Sequence, residues 1–467
     1  MSNPHHQIAP AIVVAVPFPA QSHLNQLLQL SCLLSSSPHN LPVYYVCSSN
    51  HVRQAKLRCS DPLLLFNIQF HDLHIPPFPS PSPIPGTDTD FPTHMNPLFE
   101  ASLTLREPFA AFFQTLHSQT KKKIIVIHDT LMSYVVHDAA SFPKVELYAL
   151  HTSSAFNSFC WNMGEIPIPR EIQIPPNLPS SREGCFTYES EKVIALANEF
   201  EKFRSGVLHN SCRVIEGDYL DLLAQNNGNR NQWAVGPLNR LVRIDEQSKL
   251  DGKEKCIDWL DKQPTKSVMY ISFGTTSSMV DEQVKELATG LEESKIRFIW
   301  VLRNADRGDI FAEVEQISAG PTLPQGFEER TEGVQGMVVR GWVPQAEILA
   351  HPSTGGFMSH CGWGSCMESI SMGVPIATWP MHSDQPWNAA FVTQVLKIGV
   401  VVREWSRRKE LVTALAVKDA VRTLVASEEG EMIRKRAEEL GRAVRQAFEE
   451  GGVSRMELES FINHITK

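Results

Sequence analysis

Short runs of aliphatic and β-branched residues alternate with longer amphipathic segments from one end of the chain to the other. Ala11–Val16 (AIVVAV) reads as a buried strand, and apolar residues at helical spacing follow through Leu24–Leu34. Val43–Cys47, Leu64–Ile68, Ile124–Ile127 and Val145–Leu150 are further runs of strand length, with Pro97–Leu116 and Tyr134–Ala140 reading as helices between them. Continuous apolar runs lack the polar alternation of a half-exposed sheet, so they predict parallel sheets covered by helices on both faces. The rhythm stops after Trp233–Leu238 and restarts with a helix near Cys256–Asp261. Strands are then expected at Val268–Phe273, Arg297–Leu302, Met337–Val339, Gly356–Ser359 and Pro375–Thr378. The polar stretch between the two series predicts an organisation in four parts. These are an α/β domain over 1–238, a linker over 239–255, a second α/β domain over 256–450 and a final helix over 451–467. The charged segment Glu428–Lys467 reads as helices with one apolar stripe and a solvated face.

Two passages interrupt the first series. Pro76–Pro92 holds seven prolines in 17 residues, and Ile166–Pro179 is similar. Neither can form a regular helix or a central strand. They are expected as surface loops, with loops framing a binding cleft as the sharper alternative.

Composition narrows the class. With 42% hydrophobic and 20% charged residues, the 467-residue chain has the make-up of a folded globular protein, not a disordered one. A formal charge of −9 argues against a broad nucleic-acid footprint. Nine cysteines in no paired framework point to a reducing compartment. The start of the chain lacks a basic signal-peptide region, and no stretch reaches the roughly 20 apolar residues of a membrane span. A cytoplasmic, monomeric protein is the expectation.

The densest chemistry lies in the 44 residues Trp342–Gln385, WVPQAEILAHPSTGGFMSHCGWGSCMESISMGVPIATWPMHSDQ. Two small-residue turns are expected there, at Ser353–Gly356 and Gly362–Gly364, and the second opens a helix over Ser365–Ser371. A helix start with free N–H groups and close backbone approach suits an anion. It is neither a dinucleotide fingerprint, since Met367 stands where a third glycine would, nor a Walker loop. Cys361 and Cys366 have no second ligand pair that would make a zinc site.

This block resembles the signature box of plant secondary-product glycosyltransferases, the UDP-sugar-dependent family 1 enzymes, in WVPQ, HPSTGGF, HCGW, the Glu368–Ser369 pair and the closing Asp384–Gln385. AVPFPAQSHLNQLLQLS, HNSCRVIEGDYLDLL, WAVGPL and CIDWLDKQP extend the likeness over the whole chain and are similar to zeatin O-glucosyltransferases. The resemblance implies a GT-B fold, two Rossmann-like domains facing across a cleft. In the second domain, Trp342 would stack on uracil and the Val343 backbone would pair with its edge. Gln345 and Glu368 would hold the ribose. His360, Gly362, Gly364, Ser365, Gly274 and Thr275 would cradle the diphosphate, and Trp363, Asp384 and Gln385 would line the sugar. In the first domain His23 would be the general base and Asp129 its partner; His128, His137 and Asp138 are the neighbouring rivals.

The implied reaction is inverting transfer of glucose from UDP-glucose to a hydroxyl of a small lipophilic acceptor, with no obligatory metal. The acceptor would be a zeatin-type cytokinin or a phenolic or terpenoid relative. UDP-xylose as donor, or a silent nucleotide-sugar or hormone binder, are the alternatives. One position departs from the family tract: Gly364 stands where asparagine is usual.

Overall fold

The structure, a computed structural model, is described over residues 10–467 except 60–61, 84–90, 171, 173, 177, 227–230, 240–253 and 314–320. Thirteen strands among these residues form two parallel sheets. The first contains β1 (Ala11–Val16), β2 (Val43–Ser48), β3 (Ile68–Leu73), β4 (Lys123–Asp129), β5 (Val145–His151), β6 (Gly206–His209) and β7 (Gln232–Ala234) in the order β3-β2-β1-β4-β5-β6-β7. The second contains β8 (Val268–Ser272), β9 (Arg297–Val301), β10 (Gly336–Val339), β11 (Thr354–Ser359), β12 (Ile376–Thr378) and β13 (Gly399–Val401) in the order β10-β9-β8-β11-β12-β13. Both sheets are doubly wound, and strand order reverses between β1 and β4 in one and between β8 and β11 in the other. Ligands bind in open sheets of this kind outside the carboxyl ends of the strands at that reversal.

The central strands are buried along their length, all six residues of β1 included. The final helix, Val453–Thr466, packs back onto the first sheet through Leu458, Phe461, Ile462 and Ile465, within the cluster that also holds Tyr148 and Trp233. Burying side chains of this size contributes roughly 1.5–3 kcal/mol each, so the chain's end is tied to its beginning. The helix Glu428–Phe448 before it starts on a Ser427 cap, with Glu428, Glu429 and Glu431 in its first turn, where carboxylates complement the helix dipole.

Several expectations need correction. The Leu64–Ile68 run is not a strand: Pro62–Leu65 forms a 3₁₀ turn, Phe66 is 83% exposed, and β3 begins only at Ile68. Apolar content without a sheet neighbour did not make it a core segment. Pro97–Leu116 is two helices, Asn96–Leu103 and Arg106–Gln119. The break lies where the Thr104 hydroxyl bonds the Ala101 carbonyl. The Ser353–Gly356 turn is instead the start of β11, where a Cβ on Gly355 would lie 2.3 Å from the Lys266 carbonyl oxygen. Most of the expected linker, and part of the Pro76–Pro92 passage, falls outside the described residues.

Candidate active site

The turns after β1 and β4 bring the first pair together. His23 sits in the first turn of the helix Gln21–Ser35, and Asp129 ends β4. His23 Nδ1 donates to Asp129 Oδ2 at 2.7 Å, and Thr152 Oγ1 lies 3.2 Å from the same nitrogen. Asp129 is 1% exposed, and its other oxygen accepts from the Leu131 N–H. The His23 side chain is 23% exposed, so Nε2 can face the cleft while Nδ1 is held. Burial alone would lower the basicity of His23, but the charge and hydrogen bond of Asp129, with the charge of Asp384, raise it above the ordinary histidine value. The rivals are otherwise engaged. His128 is buried, with Nδ1 on the Asp129 carbonyl, and His137 and Asp138 belong to a network with Tyr134 and Arg106.

Opposite lie the ends of β8, β10, β11 and β12. The helix Trp363–Met372 opens on Gly362 with no side chain capping its first N–H groups, so those donors are left for a ligand anion. Beside it His360 is wedged between two glycines. A Cβ on Gly274 would approach its Nε2 to 2.5 Å, and one on Gly362 to 2.6 Å. Gly274 also has φ +79°, so both close approach and conformation demand glycine there. Burial holds His360 down at about 4, which keeps it neutral, and its buried Nδ1 has no partner in the structure. A buried orphan atom beside an uncapped helix start is what a phosphate oxygen would satisfy. Cys361 and Ser383, one residue before Gly362 and Asp384, both have positive φ. Strained backbone thus sits at two turns facing the same space.

Gln345 is the organiser of the next subsite. Its Oε1 accepts from Tyr270 at 3.1 Å, and its Nε2 donates to Glu368 Oε2 at 2.6 Å and to Ser365 Oγ at 3.1 Å. Trp342 is 49% exposed beside it, an indole surface open for stacking. Burial pushes the Glu368 carboxyl up to about 7, against the opposing Gln345 hydrogen bond. If ribose hydroxyls donate to this group, nucleotide binding selects its ionised form. UDP affinity should therefore fall about tenfold between pH 8 and pH 6, as protonation removes the acceptor. The Glu368→Gln variant should lack that component. Calorimetric titration of both proteins checks it, because the titration of UDP itself cancels in their ratio; parallel pH curves would refute the assignment.

Three expected sugar-lining residues differ in freedom. Asp384 is held by Asn388 Nδ2 at 2.9 Å, while Asn388 Oδ1 accepts from Ser154 of the first half at 2.8 Å. Burial raises the Asp384 carboxyl above the usual range, with the Asn388 hydrogen bond and the charge of His23 opposing. Gln385 spends its Oε1 on the Met381 and His382 N–H groups, and its NH₂ lies 3.3 Å from His382 Nδ1, which leaves one N–H to spare. Trp363 is buried, and its indole N–H donates to the Asn210 carbonyl at 2.7 Å, joining the two halves as well as bordering the cavity. Sequence reasoning missed Thr152, Ser154 and Asn388, whose roles exist only once the two sheets face each other.

His23 and Thr152 from the first half, with Trp342, Gln345, His360, Glu368, Asp384 and Gln385 from the second, border one cavity of about 760 Å³, within the size range of small-molecule sites; Asp129, Ser154 and Asn388 stand behind its wall. Phe18, Phe91, Met95, Phe99, Trp161 and Phe186 give it an apolar wall near His23. Among the described residues of the two proline-rich passages, Phe91 and Pro92 at the end of the first are the ones that line it. Among the described residues, no group of three or more His, Cys, Asp or Glu side chains is placed to hold a metal ion, and no helix is long and apolar enough to cross a membrane.

Two facing Rossmann-like sheets, with a histidine–aspartate pair on one side and an uncapped helix start on the other, have the GT-B architecture of a glycosyltransferase. Residues 9–240 match the glycosyltransferase N-terminal domain, and residues 248–429 match the UDP-glucuronosyl and UDP-glucosyl transferase family, to which the chain belongs. It is similar to the zeatin O-glucosyltransferase of Phaseolus lunatus, 51% identical across 98% of this chain and 97% of that one. The zeatin O-xylosyltransferase of Phaseolus vulgaris is 49% identical, with 98% of each chain covered. Among solved structures, a UGT transferase of Siraitia grosvenorii in complex with UDP superimposes with TM-score 0.74 at 28% identity, over 98% of this chain and 100% of that one. The protein is therefore a UDP-sugar glycosyltransferase acting on small acceptors.

Proposed function

We propose that the protein transfers glucose from UDP-glucose to a hydroxyl of a small lipophilic acceptor of the zeatin type, with inversion, in the cytoplasm and as a monomer. The observation that carries this reading is the His23–Asp129 pair facing the uncapped helix start and His360 across one cavity. Nε2 of His23 takes the acceptor proton as the oxygen attacks the anomeric carbon; Asp129 holds the ring and stabilises the imidazolium. UDP leaves from the opposite face, so an α-linked donor gives a β-glucoside. The charge that develops on the leaving diphosphate is met by the N–H groups after Gly362 and by neutral His360. Full-length likeness to a zeatin O-glucosyltransferase supports the acceptor class, and the apolar wall suits a lipophilic side chain. Nine cysteines in no paired framework suit a reducing compartment.

A second reading, UDP-xylose as donor, is favoured by the 49% identity to a zeatin O-xylosyltransferase. UDP release measured with UDP-glucose, UDP-xylose and UDP-galactose, each against zeatin and a phenolic panel, separates the two. UDP-glucose with zeatin should be fastest; faster turnover with UDP-xylose would transfer the assignment to the second reading. No turnover with any donor would leave only a binder.

Gly364 offers a test of the cradle. Its φ is not positive and a Cβ there would meet nothing within 4 Å. A Cβ therefore fits without displacing anything, and an asparagine amide carried on it would add a donor to a charged group, a contact contributing roughly 1.5–3 kcal/mol before water competes. Gly364→Asn should tighten UDP-glucose binding by about fivefold or more, at the lower part of that range, and leave acceptor preference unchanged. Equal or weaker binding by calorimetry would refute it.

A further inference from the structure

Arg58 belongs to the acceptor half, just past the helix Ser49–Leu57, yet its guanidinium lies over the Trp342 ring of the donor half, 4.4 Å from the centroid. It is pinned there. Arg58 donates to both oxygens of Asp306, at 2.5 and 3.0 Å, and to Gln21 Oε1 at 2.6 Å. Arg58 and Asp306 are 11% and 8% exposed, so this is a bidentate pair shielded from solvent. Asp306 is itself fixed in the donor half: its N–H donates to the Thr275 carbonyl in the turn after β8 and its carboxylate also pairs with Arg303. Trp342 keeps about half its surface open with Arg58 in place. The Arg303 guanidinium, held by the same Asp306, also lies over the ring, 5.6 Å from its centroid, and the half of the indole surface still open beside these cations is left for a planar partner.

We propose that Arg58 is a positioning residue for the nucleobase. From the acceptor domain it backs the Trp342 indole, holds its plane and so couples uridine stacking to closure of the two halves through Asp306. Free, a half-exposed tryptophan would lose rotamer freedom on each binding event; backed by a pinned guanidinium it is already in place. The cation adds attraction to the ring face. Gln21 lies two residues before His23 in one helix, so the same side chain ties the stacking platform to the helix that carries the base.

This inference rests on the donor-site reading above, and the experiment separates the two. UDP is titrated calorimetrically against the unaltered protein, Arg58→Ala, Trp342→Ala and the double variant, with melting temperatures recorded for each. Arg58→Ala should weaken UDP binding about three- to tenfold, and in the Trp342→Ala background the same change should have almost no effect. Arg58→Lys keeps the charge without the planar bidentate fork and should fall between, which also guards against a poorly folded alanine variant. Steady-state kinetics should show the loss in the KM for the donor, with the KM for the acceptor unchanged. Unchanged or tighter binding by Arg58→Ala, an equal loss in both backgrounds, or full activity of the lysine variant would each overturn the proposal. Failure of the unaltered protein to bind UDP would overturn the donor-site reading with it.

Discussion

Replacing His23 with alanine is expected to reduce glucosyl transfer by roughly 100- to 10,000-fold, the usual loss on removing a general base, while UDP binds as before. The separation follows from the architecture. His23 stands after β1 in the first sheet, whereas the helix start, His360, Gln345 and Glu368 all stand on the second. An acceptor alcohol is a poor nucleophile until its proton leaves, and His23 Nε2 is the nitrogen with a view of the cavity, since Nδ1 is engaged by Asp129. UDP titration and initial rates on the same preparation decide the matter. Loss of UDP affinity alongside activity would mean that the substitution disturbed the fold or that His23 contacts the donor. Full activity on aliphatic hydroxyl acceptors would remove His23 as the base.

How far the sequence carries the site depends on whether neighbours in the chain or neighbours in space make each feature. The central strands β1, β4 and β8 were legible because burial on both faces leaves an unbroken apolar run. The short strands Gly206–His209 and Gly399–Val401 were not, each offering only two aliphatic side chains after a glycine. The turn around Gly362 and the helix it opens were legible for a related reason. Helix start, glycines and His360 lie within a few residues of one another, so a local motif encodes the local geometry. Arg58 on Trp342, Ser154 on Asn388 and Trp363 on Asn210 join residues more than 150 positions apart. No spacing rule connects such pairs, and each is fixed only by the way the two sheets face. Gln385 shows the limit of reading a role from residue type: its carbonyl oxygen, nominally free for a sugar hydroxyl, is consumed by two N–H groups of its own turn.

Asp129→Asn is expected to be nearly as damaging as loss of His23 itself, with a distinct signature in pH. The carboxylate accepts from Nδ1–H, which fixes the tautomer that leaves Nε2 unprotonated and able to accept. An asparagine is nearly the same size, and its carbonyl can still accept from Leu131. Its NH₂ group, however, can be turned towards His23 Nδ1 and stabilise the opposite tautomer, with the proton on Nε2. The imidazolium formed on proton transfer would also lose the adjacent negative charge. A histidine base deprived of its carboxylate in this way loses activity by roughly 1,000- to 10,000-fold. The sign of the pH effect follows from the charges. Asp129 raises the His23 value against the lowering effect of burial, so without that charge the value falls, although Asp384 still contributes in the same direction. The acid limb of kcat/KM, set by protonation of the base, should then move to lower pH in the variant even as the plateau drops. Asp129→Ala offers no competing donor, so it should retain more activity than Asp129→Asn while showing the same displacement. A pH–rate profile of the three proteins tests the assignment. An acid limb that stays where it is in the unaltered protein, or an asparagine variant more active than the alanine one, would rule out Asp129 as the group that sets the tautomer and charge of His23.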